Sequence, residues 1–196
     1  AVGADRYNSL RNGRTQYATV ADPEKAELNQ LWLEASLIPR TRLRVGRQRI
    51  TYDNHRFIGN VGWRQLEQTY DAVALTSRPL SGLTIDGAYL WRVQNVLSQR
   101  QRLAAPLLHL AYTGWRVARV VAYGYWIGYE EAASAARSVQ TYGIRLGGSR
   151  PLTDRLALRY TGEYAYQMDY RDNPNDFAVQ YAHGLLGLTV RQQGWV

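Results

Sequence analysis

Arginine is the residue through which this chain would do its chemistry. The segment 41–50 carries Arg42, Arg44, Arg47 and Arg49, and a strand sends every second side chain to the same face. A guanidinium is a planar fork of donors that matches carboxylates and phosphates, so a row of them would bind or conduct anions. Lys25 is the only lysine among 24 basic residues, and the formal net charge is +8. That balance suits an anionic partner such as nucleic acid, lipid phosphate or an acidic solute. Arg92, Arg145 and Arg159 fall on the polar side of alternating segments, together with Glu34, Asp86 and Glu163. Acids placed among arginines would hold the guanidinium groups and moderate their field.

Bond-making chemistry finds less support. A hydrolase needs a nucleophile, a base and an orienting partner. His55, His109 and His183 are scattered, and no G-x-S-x-G elbow is present. His109 lies in an apolar stretch and reads as a structural residue of the polar face. Cysteine is absent, which removes disulfides and thiolate metal sites. Asp169, Asp172, Asn173, Asn175 and Asp176 gather oxygen donors without the spacing of a calcium loop. No metal, cofactor or catalytic residue is expected. The loop 51–65 is the expected constriction or lid, with Asp53, Asn54, His55, Arg56 and Arg64 able to meet an acidic ligand. Its reversals are assigned to Asn54, Gly59, Asn60 and Gly62.

Elements that position these residues must be mostly strand. Short reversals at 38–41, 77–82, 113–115 and 148–151, with another near Gly194, alternate with polar stretches near 50–66, 94–105, 128–139 and 168–176. Strict alternation of short and long connections is the layout of an antiparallel meander with periplasmic turns and extracellular loops. Nine strands are expected: 27–37, 41–50, 67–76, 83–93, 106–113, 116–126, 141–148, 155–167 and 177–191. The Ala-rich run 130–139 is a candidate short helix within its loop. In 83–93, Leu83, Ile85, Gly87, Tyr89, Trp91 and Val93 oppose Thr84, Asp86, Ala88, Leu90 and Arg92. The segments 141–147 and 155–167 alternate in the same way, whereas both faces of 116–126 are apolar and its facing stays open.

No stretch approaches the roughly 18 to 20 apolar residues of a spanning helix. A barrel wall alternates instead, so its mean hydropathy, here -0.42, resembles that of a soluble protein. The chain has 15 Tyr and 6 Trp against 2 Phe, and amphipathic rings suit a membrane boundary. On the apolar faces Tyr89, Trp91, Tyr164 and Tyr166 gather toward the long-loop end, as a girdle would. The fold expected is all-β: a single domain over 1–196 forming a transmembrane antiparallel up-and-down β-barrel, or a large part of one, with nine or ten strands. With Leu43 and Val45 facing lipid, Arg42 and Arg44 face the lumen. An arginine facing lipid costs roughly 2 to 4 kcal/mol at the midplane and about 0 to 1 near the interface. Arg47 and Arg49 are therefore expected at the rim or turned inward, and all seven arginines are assigned to the pore. A soluble sheet binding a polyanion would interleave stacking aromatics with its arginines; here the two occupy opposite faces. An enzyme built into the barrel wall is the remaining alternative.

Several stretches resemble the alginate-export family of outer-membrane porins: 20–23 running into 27–30, 46–50, 53–65, 67–73, 140–146 and 162–165, densest over 46–73. The resemblance implies a monomeric barrel with more strands than these nine, of which this chain is a central portion lacking strands at both ends. It also implies a lumen passing acidic polysaccharide, alginate for example, or smaller anions. Its surroundings would be bacterial outer-membrane lipid and lipopolysaccharide, with no nucleic-acid partner.

Overall fold

The computed structural model describes residues 6–9, 12–20, 26–64 and 66–190. Nine strands follow in order: β1 (Leu31–Ile38), β2 (Thr41–Gln48), β3 (Thr69–Ser77), β4 (Leu83–Gln94), β5 (Arg100–Tyr112), β6 (Arg119–Tyr129), β7 (Val139–Pro151), β8 (Leu156–Asp169) and β9 (Ala178–Val190). A single 3-10 turn, Ala132–Arg137, sits between β6 and β7. Each strand pairs antiparallel with the next, so sheet order is sequence order. β1 and β9 do not pair with each other, and the sheet is an open section of barrel wall. The reversal expected near Gly194 lies outside the described residues.

All nine expected strands are present with shifted ends: β1 starts at Leu31 rather than 27, β6 runs Arg119–Tyr129 rather than 116–126, and β5 and β7 are extended. β5 begins at Arg100, because Arg100, Gln101 and Arg102 pair with Gln94, Val93 and Arg92 of β4. The loop between them shrinks to 95–99, closed by Asn95 Oδ1 accepting from the backbone N–H of Leu97 and Gln99. β7 continues through Pro151, and the reversal shifts from 148–151 to 152–155, where Thr153 Oγ1 accepts from Leu156 N. Pro151 closes the strand, a position at which a missing N–H is tolerated.

One face of the sheet is bare hydrocarbon. Leu43, Val45, Leu75, Leu108, Ile144 and Leu146 form an exposed band across it. Exposed apolar area in water costs roughly 25 cal/mol per Å²; against lipid that cost disappears, which is how a barrel wall is stabilised. Aromatic rings border the band at both ends. Tyr89, Trp91, Trp126, Tyr142, Tyr164 and Tyr166 lie toward the long connections, and Tyr112, Trp115 and Tyr160 toward the short turns. Trp126 Nε1 donates to Tyr142 Oη at 2.8 Å, so ring edges at the boundary satisfy one another.

The other face is covered by the connection 49–68. Ile58 of this loop is 1% exposed and packs in one core with Leu90, Leu107, Val121, Tyr123 and Tyr125 of the strands beneath. This packing settles the facing of β6: Val121, Tyr123 and Tyr125 point inward under the loop, and Ala122 and Trp126 point to the hydrocarbon side.

Candidate functional site

The loop 49–68 is fastened to the inner face by polar contacts as well as by its core residues. Asp53 inserts a carboxylate between two strands: Oδ2 accepts from His109 Nε2 at 3.0 Å and Oδ1 from Arg119 Nη1 at 2.7 Å. His109 presents its other ring nitrogen to Asp86 at 3.5 Å, and Asp86 accepts from Thr76 Oγ1 at 2.6 Å. Only Nε2 is hydrogen-bonded; Nδ1 is buried beside Asp86 without a hydrogen-bond partner among the described residues. Burial opposes ionisation of Asp53, but the hydrogen bonds from His109 and Arg119 outweigh it and hold the carboxyl at about 2. Tyr52 stacks on His109 at 4.7 Å and on Tyr125 at 5.7 Å, and burial pushes its hydroxyl well above the ordinary range.

The sharp reversals are made by Asp53, His55 and Val61, whose φ values are 48°, 61° and 53°, and not by the glycines and asparagines expected to make them. Positive φ at a β-branched residue is strained, so this loop is held in one conformation by what it touches. Gly59 serves by its smallness, since a Cβ there would lie 2.8 Å from the Cβ of His55. At the outer end Glu67 accepts twice from Arg49, at 2.6 and 2.7 Å, and once each from Asn29 and Asn60. Those hydrogen bonds, the Arg49 pair first, hold its carboxyl below the usual range against burial. Asn54, His55 and Arg56 remain exposed, with Arg56 over the Tyr181 ring at 4.8 Å and Arg64 over Trp63 at 4.2 Å.

Farther along the inner face, Arg145 of β7 is bound to Glu163 of β8, which also accepts from Tyr123 Oη at 2.9 Å. Tyr123 reaches Glu163 because Gly143 leaves room; a Cβ there would overlap the tyrosine ring. Gly143→Val is accordingly expected to displace Tyr123 from Glu163 and destabilise the barrel by about 1–3 kcal/mol, as overpacking does. Urea-induced unfolding in detergent measures this. On β1 and β2, Arg44 is bound to Glu34 at 2.7 Å and lies 4.0 Å over Trp32. Arg42 and Arg159 stand on the same inner face with no acid partner among the described residues.

Two arginines assigned to the pore from sequence stand on the opposite face. Arg47 keeps the parity of Leu43 and Val45 and pairs with Asp71 at 2.7 Å on the outer face, beside the long connections. Arg92 joins the same carboxylate at 3.1 Å. The alternation of β4 breaks at a bulge: Leu90 lies opposite Ala72 but Arg92 opposite Asp71, so Trp91 is an extra residue and Arg92 turns outward with it. Arg49 lies beyond the end of β2, within the loop. Sequence reasoning missed Arg119. Its parity with Val121 and Tyr123 was the available signal, but it required the facing of β6. Among the described residues no group of three or more His, Asp or Glu could hold a metal, including those of 169–176. There Asn173 is spent on the carbonyls of Ala136 and Ser138.

The antiparallel meander is similar in fold to solved porins. The chain is similar to OpdL of Pseudomonas aeruginosa at 20% identity and a TM-score of 0.64, covering 77% of this chain and 42% of that one. It is similar to a BenF-like porin from Pseudomonas fluorescens Pf-5 at 16% and 0.68, covering 81% and 41%. It is also similar to P. aeruginosa OpdK with vanillate, at 14% and 0.66, covering 79% and 41%. These likenesses show the outer-membrane barrel fold, and the chain spans less than half the length of each of these porins. No curated protein matches the chain. The model of the alginate-export family matches residues 4–195. The chain belongs to the alginate-export family.

Membership places this wall in the bacterial outer membrane, so its bare face meets lipid and its covered face lies on the inside of the barrel wall. In this alginate-export wall the loop 49–68 therefore lies on the inner side, away from lipid. Arg47, Arg92 and Arg102 lie above the Tyr89–Trp91 aromatics on the lipid side.

Proposed function

We propose that this chain supplies the anion-attracting wall of an outer-membrane channel for acidic solutes, with 49–68 as its constriction. The observation that carries this reading is the division among the inner-face arginines. Arg44, Arg119 and Arg145 are each bound to a carboxylate, whereas Arg42 and Arg159 have no carboxylate partner among the described residues. Paired arginines contribute a framework with little net field, and unpaired ones contribute positive potential along the path. In a low-dielectric wall such potential concentrates anions. The family suggests an acidic polysaccharide as solute, and OpdK was solved with vanillate, a carboxylate. Lipopolysaccharide is the proposed neighbour of the lipid-side rim, where Arg92 and Arg102 are held by Asp71 and Glu130.

The test is the reversal potential of the protein in a planar bilayer under a salt gradient. Discrete steps reversing on the anion side are expected, with the potential moving toward zero in Arg42→Gln/Arg159→Gln and little changed in Arg44→Gln/Glu34→Gln. Reversal on the cation side would overturn the reading.

A further inference from the structure

Charge is divided unequally between the two ends of the wall. Each of the four short connections carries one arginine, namely Arg40, Arg78, Arg116 and Arg155, and together they hold a single acid, Asp154. The long connections carry five arginines against six acids. The long-connection end is thus nearly neutral, and the short-turn end, which faces the periplasm in this fold, is basic.

At that basic end lies a cavity of about 570 Å³ between the β1–β2 and β3–β4 turns. Arg40, Arg42 and Arg78 line it together with the hydroxyls of Ser36, Ser81 and Thr84. None of the three arginines has an acid partner among the described residues. Of the acids on this face, Asp86 is already engaged by Thr76 and faces His109, and Glu34 is held by Arg44. The turn backbones are tied together by Arg78 N donating to the carbonyl of Arg40 at 2.9 Å, which keeps the two arginine-bearing turns side by side. Three mutually repelling guanidinium groups held around one space are an arrangement that an anion stabilises. The volume falls within the range of small-molecule sites, and the hydroxyls supply neutral donors and acceptors that a simple inorganic ion would not need.

We propose that this cavity is a capture subsite at the periplasmic mouth for a hydroxylated carboxylate of monosaccharide size. The guanidinium groups take the carboxylate and the serine and threonine hydroxyls take the solute's hydroxyls. It rests on the channel reading, to which it adds a location and a direction: the solute is first held on the periplasmic side, before it meets the constriction.

The probe is D-galacturonate, titrated against the full chain in zwitterionic nanodiscs and followed by saturation-transfer NMR, with galactose as the neutral control. Arg40→Asn/Arg78→Gln is expected to weaken galacturonate binding at least tenfold. Asn tolerates the positive φ of 58° at position 40, so the turn is retained. Arg42→Gln, placed on the strand itself, is expected to weaken binding comparably. Galactose is expected to bind neither protein. Unchanged galacturonate binding in both variants, or competition by galactose at equal concentration, would overturn the subsite. The two readings fail separately. Anion-side reversal with unaffected binding sinks the subsite alone, while cation-side reversal with tenfold loss of binding sinks the channel reading and leaves the subsite standing.

Discussion

Asp53→Ala is expected to undock the segment 52–57 and raise single-channel conductance, leaving the strands intact. Asp53 accepts one hydrogen bond from a buried histidine and one from Arg119, whose side chain is 42% exposed. A hydrogen bond to a charged group contributes about 1.5–3 kcal/mol, and the Arg119 bond is discounted because solvent screens it. A net loss of roughly 2–3 kcal/mol multiplies the undocked fraction by on the order of 30- to 150-fold. Full detachment is not expected. Ile58 is buried and Tyr70 Oη still donates to the Gly59 carbonyl at 3.0 Å, and burying one large apolar side chain contributes about 1.5–3 kcal/mol. Trypsin cleavage at Arg56 reports the released segment, and unchanged cleavage together with unchanged conductance would show that the remaining contacts hold the segment without Asp53. The wild-type protein should show the same release with acid. Because the Asp53 carboxyl is held at about 2 against an ordinary 3.8, its contribution is complete above about pH 4 and is lost as pH falls through 2. Asp53 itself therefore adds no pH dependence to docking between about pH 7 and 5.

The wall was legible in the sequence because a strand has only two faces. Alternation along 141–147 and 155–167 placed Arg145, Arg159 and Glu163 together on one side, and the register of β7 with β8 sets Arg145 directly opposite Glu163. The alternation of short and long connections gave the sidedness, and the aromatics gave the membrane boundary. Legibility ended where the two-residue period was interrupted. The bulge at Trp91 carries no sequence mark, so Arg92 was assigned to the wrong face by a one-residue slip. In 116–126 the inner face is as apolar as the outer because the loop buries Tyr123 and Tyr125, and that contact joins residues distant along the chain. The Asp53–His109–Arg119 junction was hidden for the same reason. The loop was recognised as special from its composition, but its partners lie 56 and 66 positions away, and nothing local indicates them.

Arg145→Leu is expected to be the most destabilising single substitution on the inner face, and its partner determines how that loss should be interpreted. Glu163 has a side chain only 1% exposed, and Arg145 supplies its counter-charge. Removing one member of a buried pair leaves an uncompensated charge and costs about 3–5 kcal/mol. Among the described residues Tyr123 Oη would remain as the donor to that carboxylate, and a neutral hydroxyl replaces little of what a guanidinium provides. Glu163→Gln should cost less, because the amide oxygen can still accept from Tyr123 and Arg145 retains some exposure. The double variant Arg145→Leu/Glu163→Leu should recover most of the loss, since a buried pair exchanged for apolar residues of similar size is often nearly neutral. A thermodynamic cycle of urea midpoints tests this, and additive losses would show that the pair does not act as a unit. The same variants separate framework from field. The double variant removes one positive and one negative charge, so a folded channel carrying it should keep the wild-type reversal potential. Arg159→Gln removes a charge with no acid beside it and should move that potential with little change in stability. If both substitutions shifted selectivity equally, the distinction between paired and unpaired arginines would fail as an account of the anion field.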